Sequence, residues 1–137
     1  MAGRTFEIER VDFVSAPTRD LTRAVEFYGD LLGLPVSVHR PEQGYAEVEA
    51  GNVTINLFEP EAMGLEFSPN RHLAALRVAD VEEARMALES KGVEFDGETE
   101  DTGVCLIARF RDPDGNGLLL HRRYAPVTDR LDDSAAD

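Results

Sequence analysis

The sequence predicts an α+β fold of two βαβββ modules forming a curved mixed sheet cup with helices on the outer face. Three observations predict it. A pattern of strand, aspartate and helix occurs twice, at an offset of 60 residues that places Asp20 on Asp80. Three short strand-like segments follow each helix. Side-chain alternation along the strands gives each half one apolar face and one mixed face.

The first copy, VSAPTRDLTRAVEFYGDLLGL, begins at Val14, and the second, AALRVADVEEARMALESKGV, at Ala74. Under the shared offset Ala16 meets Leu76, Leu21 meets Val81, and Ala24 meets Ala84. Asp20 and Asp80 are placed to cap helices by accepting from first-turn amides. Glu83 lies three residues after Asp80, close to a capping box. The first helix is expected over Leu21–Leu32, with Leu21, Ala24, Val25, Tyr28 and Leu32 inward and Gly33 ending it. The second is expected over Val81–Ser90, with Val81, Ala84 and Leu88 inward and Gly92 as terminator. Strands are expected at PVSVH, GYAEVE and VTINLF in the first half, and at GVEF, GVCLIARF and LLLHRRY in the second.

Strand alternation then assigns faces. Ala74, Leu76 and Val78 should lie toward a helix, with Leu73, Ala75 and Arg77 on the other, open side. Val104, Leu106, Ala108 and Phe110 share the helix side, leaving Cys105, Ile107 and Arg109 open. Tyr45, Glu47, Thr54, Asn56 and Phe58 take the open side of the first half. Two mixed faces curled together would make a lined cup.

The hexapeptide DPDGNG, starting at Asp112, sits between two strand segments and resembles the start of a calcium loop. A calcium loop of that kind needs a bidentate glutamate at its twelfth position. Arg123 stands there instead, and the flanks are strands rather than helices. A hairpin turn is the better reading: Pro113 presets its backbone, Asp112 accepts from nearby amides, and Gly115 and Asn116 tolerate positive φ. Pairing Phe110 with Leu118 across this turn sets Arg109 opposite Leu119 and Ile107 opposite His121.

Composition bounds the partners. The chain has 137 residues, 42% hydrophobic and 30% charged, one domain's worth of core. The formal net charge of −13 disfavours nucleic acid and anionic membranes. The single cysteine, Cys105, forms no internal disulfide and has no activating neighbour in sequence. MAGRTFEIER lacks the apolar core of a signal peptide, so a cytoplasmic location is expected. The single domain should span residues 6–124, with modules at about 6–60 and 71–124 and a disordered acidic tail at 125–137.

The doubled module, the DLTRAVEFYGDLLGL stretch and the DPDGNGLLL stretch together resemble the vicinal oxygen chelate superfamily. It includes glyoxalase, extradiol dioxygenases and bleomycin resistance proteins. The resemblance covers about residues 6–124 and implies the fold rather than one activity. It also implies a divalent metal in the cup, held by ligands from the first and last strands of each module. The matching positions here are Phe13, Asn56, Leu73 and Leu119, so the usual metal site is expected to be missing and no cofactor is expected. A register shifted by one residue would bring in Asp12 or His72, but onto the helix face.

The residues left to act are few. His121 is the candidate acid or base, since histidine titrates near neutrality. Arg77 and Arg109 could receive an anionic group. Phe13, Tyr45, Phe58, Leu73 and Leu119 could line an apolar pocket, with Glu47 and Asn56 orienting polar atoms of a ligand. His39 and His72 are isolated. The expected function is binding of a small organic molecule, anionic or aromatic, without a metal. The alternative is a lyase-, isomerase- or dioxygenase-type enzyme using a displaced metal site or metal-free acid–base chemistry. The resemblance also implies a homodimer.

Overall fold

In the computed structural model, residues 5–126 are described. The expected acidic tail falls outside them from residue 127 onward. The chain divides between Ser68 and Pro69 into two compact units, each with its own open four-stranded mixed sheet.

In the first unit, strand β1 (Phe13–Pro17) leads into α1 (Leu21–Val25), and β2 (Val36–Arg40), β3 (Tyr45–Glu49) and β4 (Thr54–Phe58) follow. The sheet order is β1-β4-β3-β2, with β1 parallel to β4 and the other pairs antiparallel. Asp20 caps α1 by accepting from Arg23 N at 3.1 Å. The Glu59 carboxylate takes a second first-turn amide, Leu21 N, at 3.2 Å. The helix packs on β3 and β4. Ala16, Ala46, Val48, Ile55 and Leu57 form the sheet's share of this core, and Leu21, Ala24, Phe27 and Tyr28 the helical share.

The second unit repeats the plan as β5 (Ala74–Arg77), α2 (Val81–Ser90), β6 (Phe95–Asp101), β7 (Cys105–Arg111) and β8 (Gly117–Arg123), in sheet order β5-β8-β7-β6. Asp80 caps α2 by accepting from Glu83 N at 2.9 Å. Val81 and Leu88 are buried over Ala108, Phe110, Leu118 and Leu120. The β7–β8 register pairs Phe110 with Leu118, Arg109 with Leu119 and Ile107 with His121, as the turn predicted.

The helix expected over Leu21–Leu32 is present through Leu31, but it changes type part-way. After α1 the chain passes into a π-helical segment, Glu26–Leu31. The cause is one extra residue: Gly33 follows its cap by 13 positions, Gly92 by only 12. The wider turn absorbs the surplus. Leu34 N therefore reaches back to Tyr28 O, while Val93 N needs to reach only Leu88 O. Phe27 in this segment is buried, and its ring meets Tyr28 edge-on at 5.3 Å.

Two strand expectations also shift. GVEF was expected as a strand, yet β6 begins at Phe95 and runs through the acidic FDGETED. Val104 lies outside β7 and is exposed rather than on the helix side. At the turn, Gly115 adopts φ 90°, but Asn116 does not adopt positive φ. Gly115 N donates to Asp112 O and Asp112 N to Asn116 O, the pattern of a type I turn closed by a left-handed glycine.

Candidate functional site

The open face of the first sheet is arranged in rows set by its register. Pro17, Phe58, Tyr45 and Arg40 make one row, and Ser15, Asn56, Glu47 and Val38 the next. Phe13, Thr54 and Glu49 make the third. Every first-half residue expected on this face is on it, because the neighbours between them (Ala46, Val48, Ile55, Leu57) are buried on the helix side. Phe13 is 53% exposed, an aromatic ring left at the surface of a sheet edge. Tyr45, Glu47, Asn56 and Phe58 are half-buried. Thr54 Oγ1 donates to Glu49 at 2.7 Å, and Ser37 Oγ donates to its other oxygen. Those hydroxyls, Ser37 foremost and then Thr54, hold the Glu49 carboxyl below the usual range, so it is ionised and fixed in direction.

The open face of the second sheet carries Ala75, Leu119, Arg109 and Asp96 in one row, and Arg77, His121, Ile107 and Glu100 in the next. Leu119 is buried, His121 and Arg109 are half-buried, and Arg77 is exposed. Leu73 precedes β5 and lies over Gly117: a Cβ built there would stand 2.6 Å from Leu73 Cδ2. The bare glycine makes room for that leucine, whose methyl end would have to shift if a side chain stood there.

The sequence missed how the arginines of this face are engaged. Arg109 pairs with Glu100 at 2.8 Å, and Arg111 with Asp96 at 2.8 Å. Both carboxylates come from β6, whose acidic run carries no strand signal; only the register reveals them. No side chain among the described residues orients the His121 imidazole by a hydrogen bond, which weakens it as a poised base.

At the four positions that the resemblance assigns to metal ligands stand Phe13, Asn56, Leu73 and Leu119. Phenylalanine and leucine have no donor atom, and an amide oxygen is a weak neutral ligand for the first-row divalent ions. Among the described residues, no group of three or more His, Cys, Asp or Glu could hold a metal ion. These residues do not fit the family's metal. The calcium reading of DPDGNG also fails on geometry, because the Asp112 and Asn116 side chains are turned inward and hydrogen-bonded within the turn.

Beyond β8, Tyr124 donates its phenol to Asp101 at 2.7 Å. The Gly103 amide, and then this phenol, hold the Asp101 carboxyl below its ordinary value. The same bond, ahead of burial, raises the Tyr124 phenol above its ordinary value of 10.0. The stabilisation through tyrosine is thus present below pH 10.0 and lost as pH rises through the folded value. That through aspartate is present above pH 3.8 and lost as pH falls through the folded value. Ultraviolet titration of the wild type minus Tyr124→Phe should show a phenol ionising above pH 10.0, and Asp101→Asn should bring it back down. An unshifted difference curve in the wild type would remove the bond.

Comparison with known proteins places these faces in context. The family model described as the glyoxalase/bleomycin resistance protein/dioxygenase superfamily matches residues 10–120. An uncharacterized protein of Bacillus subtilis (strain 168), YraH, is 32% identical over 115 residues, covering 75% of this chain and 90% of that protein. The antibiotic-binding protein TnmS3 from Streptomyces sp. CB03234 is 26% identical with a TM-score of 0.70, over 86% of this chain and 98% of that one. The lactoylglutathione lyase of Agrobacterium tumefaciens shares the fold, with a TM-score of 0.72 at 17% identity over 84% of this chain and 94% of that one. No helix among the described residues is long and apolar enough to cross a membrane.

Proposed function

Because this chain belongs to the glyoxalase/bleomycin resistance protein/dioxygenase superfamily, we propose that it binds a small organic molecule, anionic or aromatic, without the usual divalent metal. The observation that carries this reading is the donor chemistry of the open faces. Where relatives would grip an ion, this chain has a phenylalanine, two leucines and an asparagine. The open face of the first sheet, taken by itself, adds Tyr45 and Phe58 in one row and Ser15 beside Asn56 in the next, with Glu47 and Glu49 toward the β3 side. Such a surface favours flat apolar contact with a few orienting hydrogen bonds. The likeness to an antibiotic-binding protein supports sequestration over turnover. The protein is proposed to be cytoplasmic and to act as a homodimer.

The competing reading is a lyase-, isomerase- or dioxygenase-type reaction. Its one supporting observation is His121, half-buried on the open face beside Leu119 and Ile107. Elemental analysis and thermal unfolding of the purified protein separate the two. Binding predicts a chelator-insensitive midpoint that rises when an aromatic acid is added, since a ligand that prefers the native state stabilises it. Stoichiometric zinc, nickel, iron or manganese, lost on His121→Ala, would sink the binding reading and favour the enzyme.

A further inference from the structure

We propose that the ligand carries a carboxylate or a chemically similar oxyanion, held by Arg77 with His121 beside it. This rests on the small-molecule reading above and adds the ligand's charge and the group that receives it.

The chain carries a formal net charge of −13, yet one surface runs against that balance. The open face of the second sheet presents Arg77, Arg109, Arg111, Arg123 and His121. Three of these four guanidiniums are already engaged. Glu100 neutralises Arg109 and Asp96 neutralises Arg111, each at 2.8 Å. Arg123 turns to the carbonyls of Ala125 and Pro126, at 2.9 and 3.1 Å.

Arg77 differs. It is exposed, and among the described residues its side chain has no ion-pair or hydrogen-bond partner. In the parallel β5–β8 ladder it stands directly opposite His121. A guanidinium offers two parallel N–H groups that match the two oxygens of a carboxylate, and the imidazole adds a third donor next to it. The apolar part of the same ligand finds Ile107, the next residue across the sheet from His121, and Leu119, one step along β8. Arg109 already has its charge balanced by Glu100, which makes it the weaker anion receptor of the two. The free charge therefore narrows to one arginine, whereas sequence alone offered Arg77 and Arg109 as equals.

The test uses the full chain with 2-naphthoate and its neutral counterpart 2-naphthamide, measured by titration calorimetry. Naphthoate should bind about tenfold more tightly, the size of effect that a charge-assisted pair supplies. Arg77→Gln should abolish that preference. Arg77→Lys should restore only part of it, because a point charge lacks the fork. Lys91→Gln, the same change of net charge at an exposed helix end, should alter neither affinity. Equal binding of the two probes, or a preference surviving in Arg77→Gln, would overturn this inference and leave the small-molecule reading standing. Failure of both probes to bind the wild type would overturn the two together.

Discussion

Phe110→Ala lowers the unfolding free energy by about 3–5 kcal/mol, read from urea titration. The ring is fully buried at 0% exposure and lies 5.0 Å from the Phe95 ring. It faces Leu118 across the β7–β8 ladder, beneath α2. Deleting it removes transfer energy and leaves a cavity that neighbouring strands, tied by ladder hydrogen bonds, cannot collapse into. Domains have about 5–15 kcal/mol in total, so about a fifth or more of the stability goes with one side chain. Phe110→Leu keeps most of the volume and should cost about 1.5 kcal/mol. The outcome also bears on function. Successive residues of a strand face opposite ways, so a buried Phe110 obliges Arg109 to face outward. A loss under about 1 kcal/mol on Phe110→Ala would contradict that burial. The assignment of Arg109 and Ile107 to the open face would then fall with it.

That parity is also why much of the fold was legible before any coordinates. Alternation in CLIARF and LLLH, joined by a turn of fixed length, determined three cross-strand pairs without ambiguity. The two aspartate caps were legible because a carboxylate before an amphipathic run has a single strong local use. Other features had no local signature. One surplus residue in the first helix produced a π-helical segment that no periodicity announces. β6 is acidic along most of its length and is held in the sheet by pairing with β7, so tertiary pairing overrides its weak strand preference. The site inherited both outcomes. Which side chains face outward followed from alternation. Which arginines are already neutralised did not, since Glu100 and Asp96 lie on the strand that sequence placed too early.

Asp112→Ala should cost about 3 kcal/mol, and millimolar calcium should change neither the wild type nor the variant. Asp112 is 6% exposed, and its carboxylate accepts three hydrogen bonds from its own turn. Its Oδ1 accepts from Asp114 N and Asn116 N, both at 2.9 Å, and its Oδ2 accepts from Asn116 Nδ2 at 2.8 Å. Oxygens committed to three donors inside a turn do not converge on an ion. Alanine would leave those donors unpaired in a largely buried place, and each unsatisfied group costs about 1–3 kcal/mol. The damage should spread. Asn116, freed to rotate, would lose its 2.7 Å bond from Asn70 N, and Gly117 N donates to Asn70 O at 3.1 Å. These two links tie the start of β8 to the segment before β5, where Leu73 lies over Gly117. Asp112→Ala should therefore weaken binding of an apolar ligand as well as stability. A calcium-dependent rise in the melting point that vanishes in Asp112→Ala would reverse the argument and restore a cation to the loop.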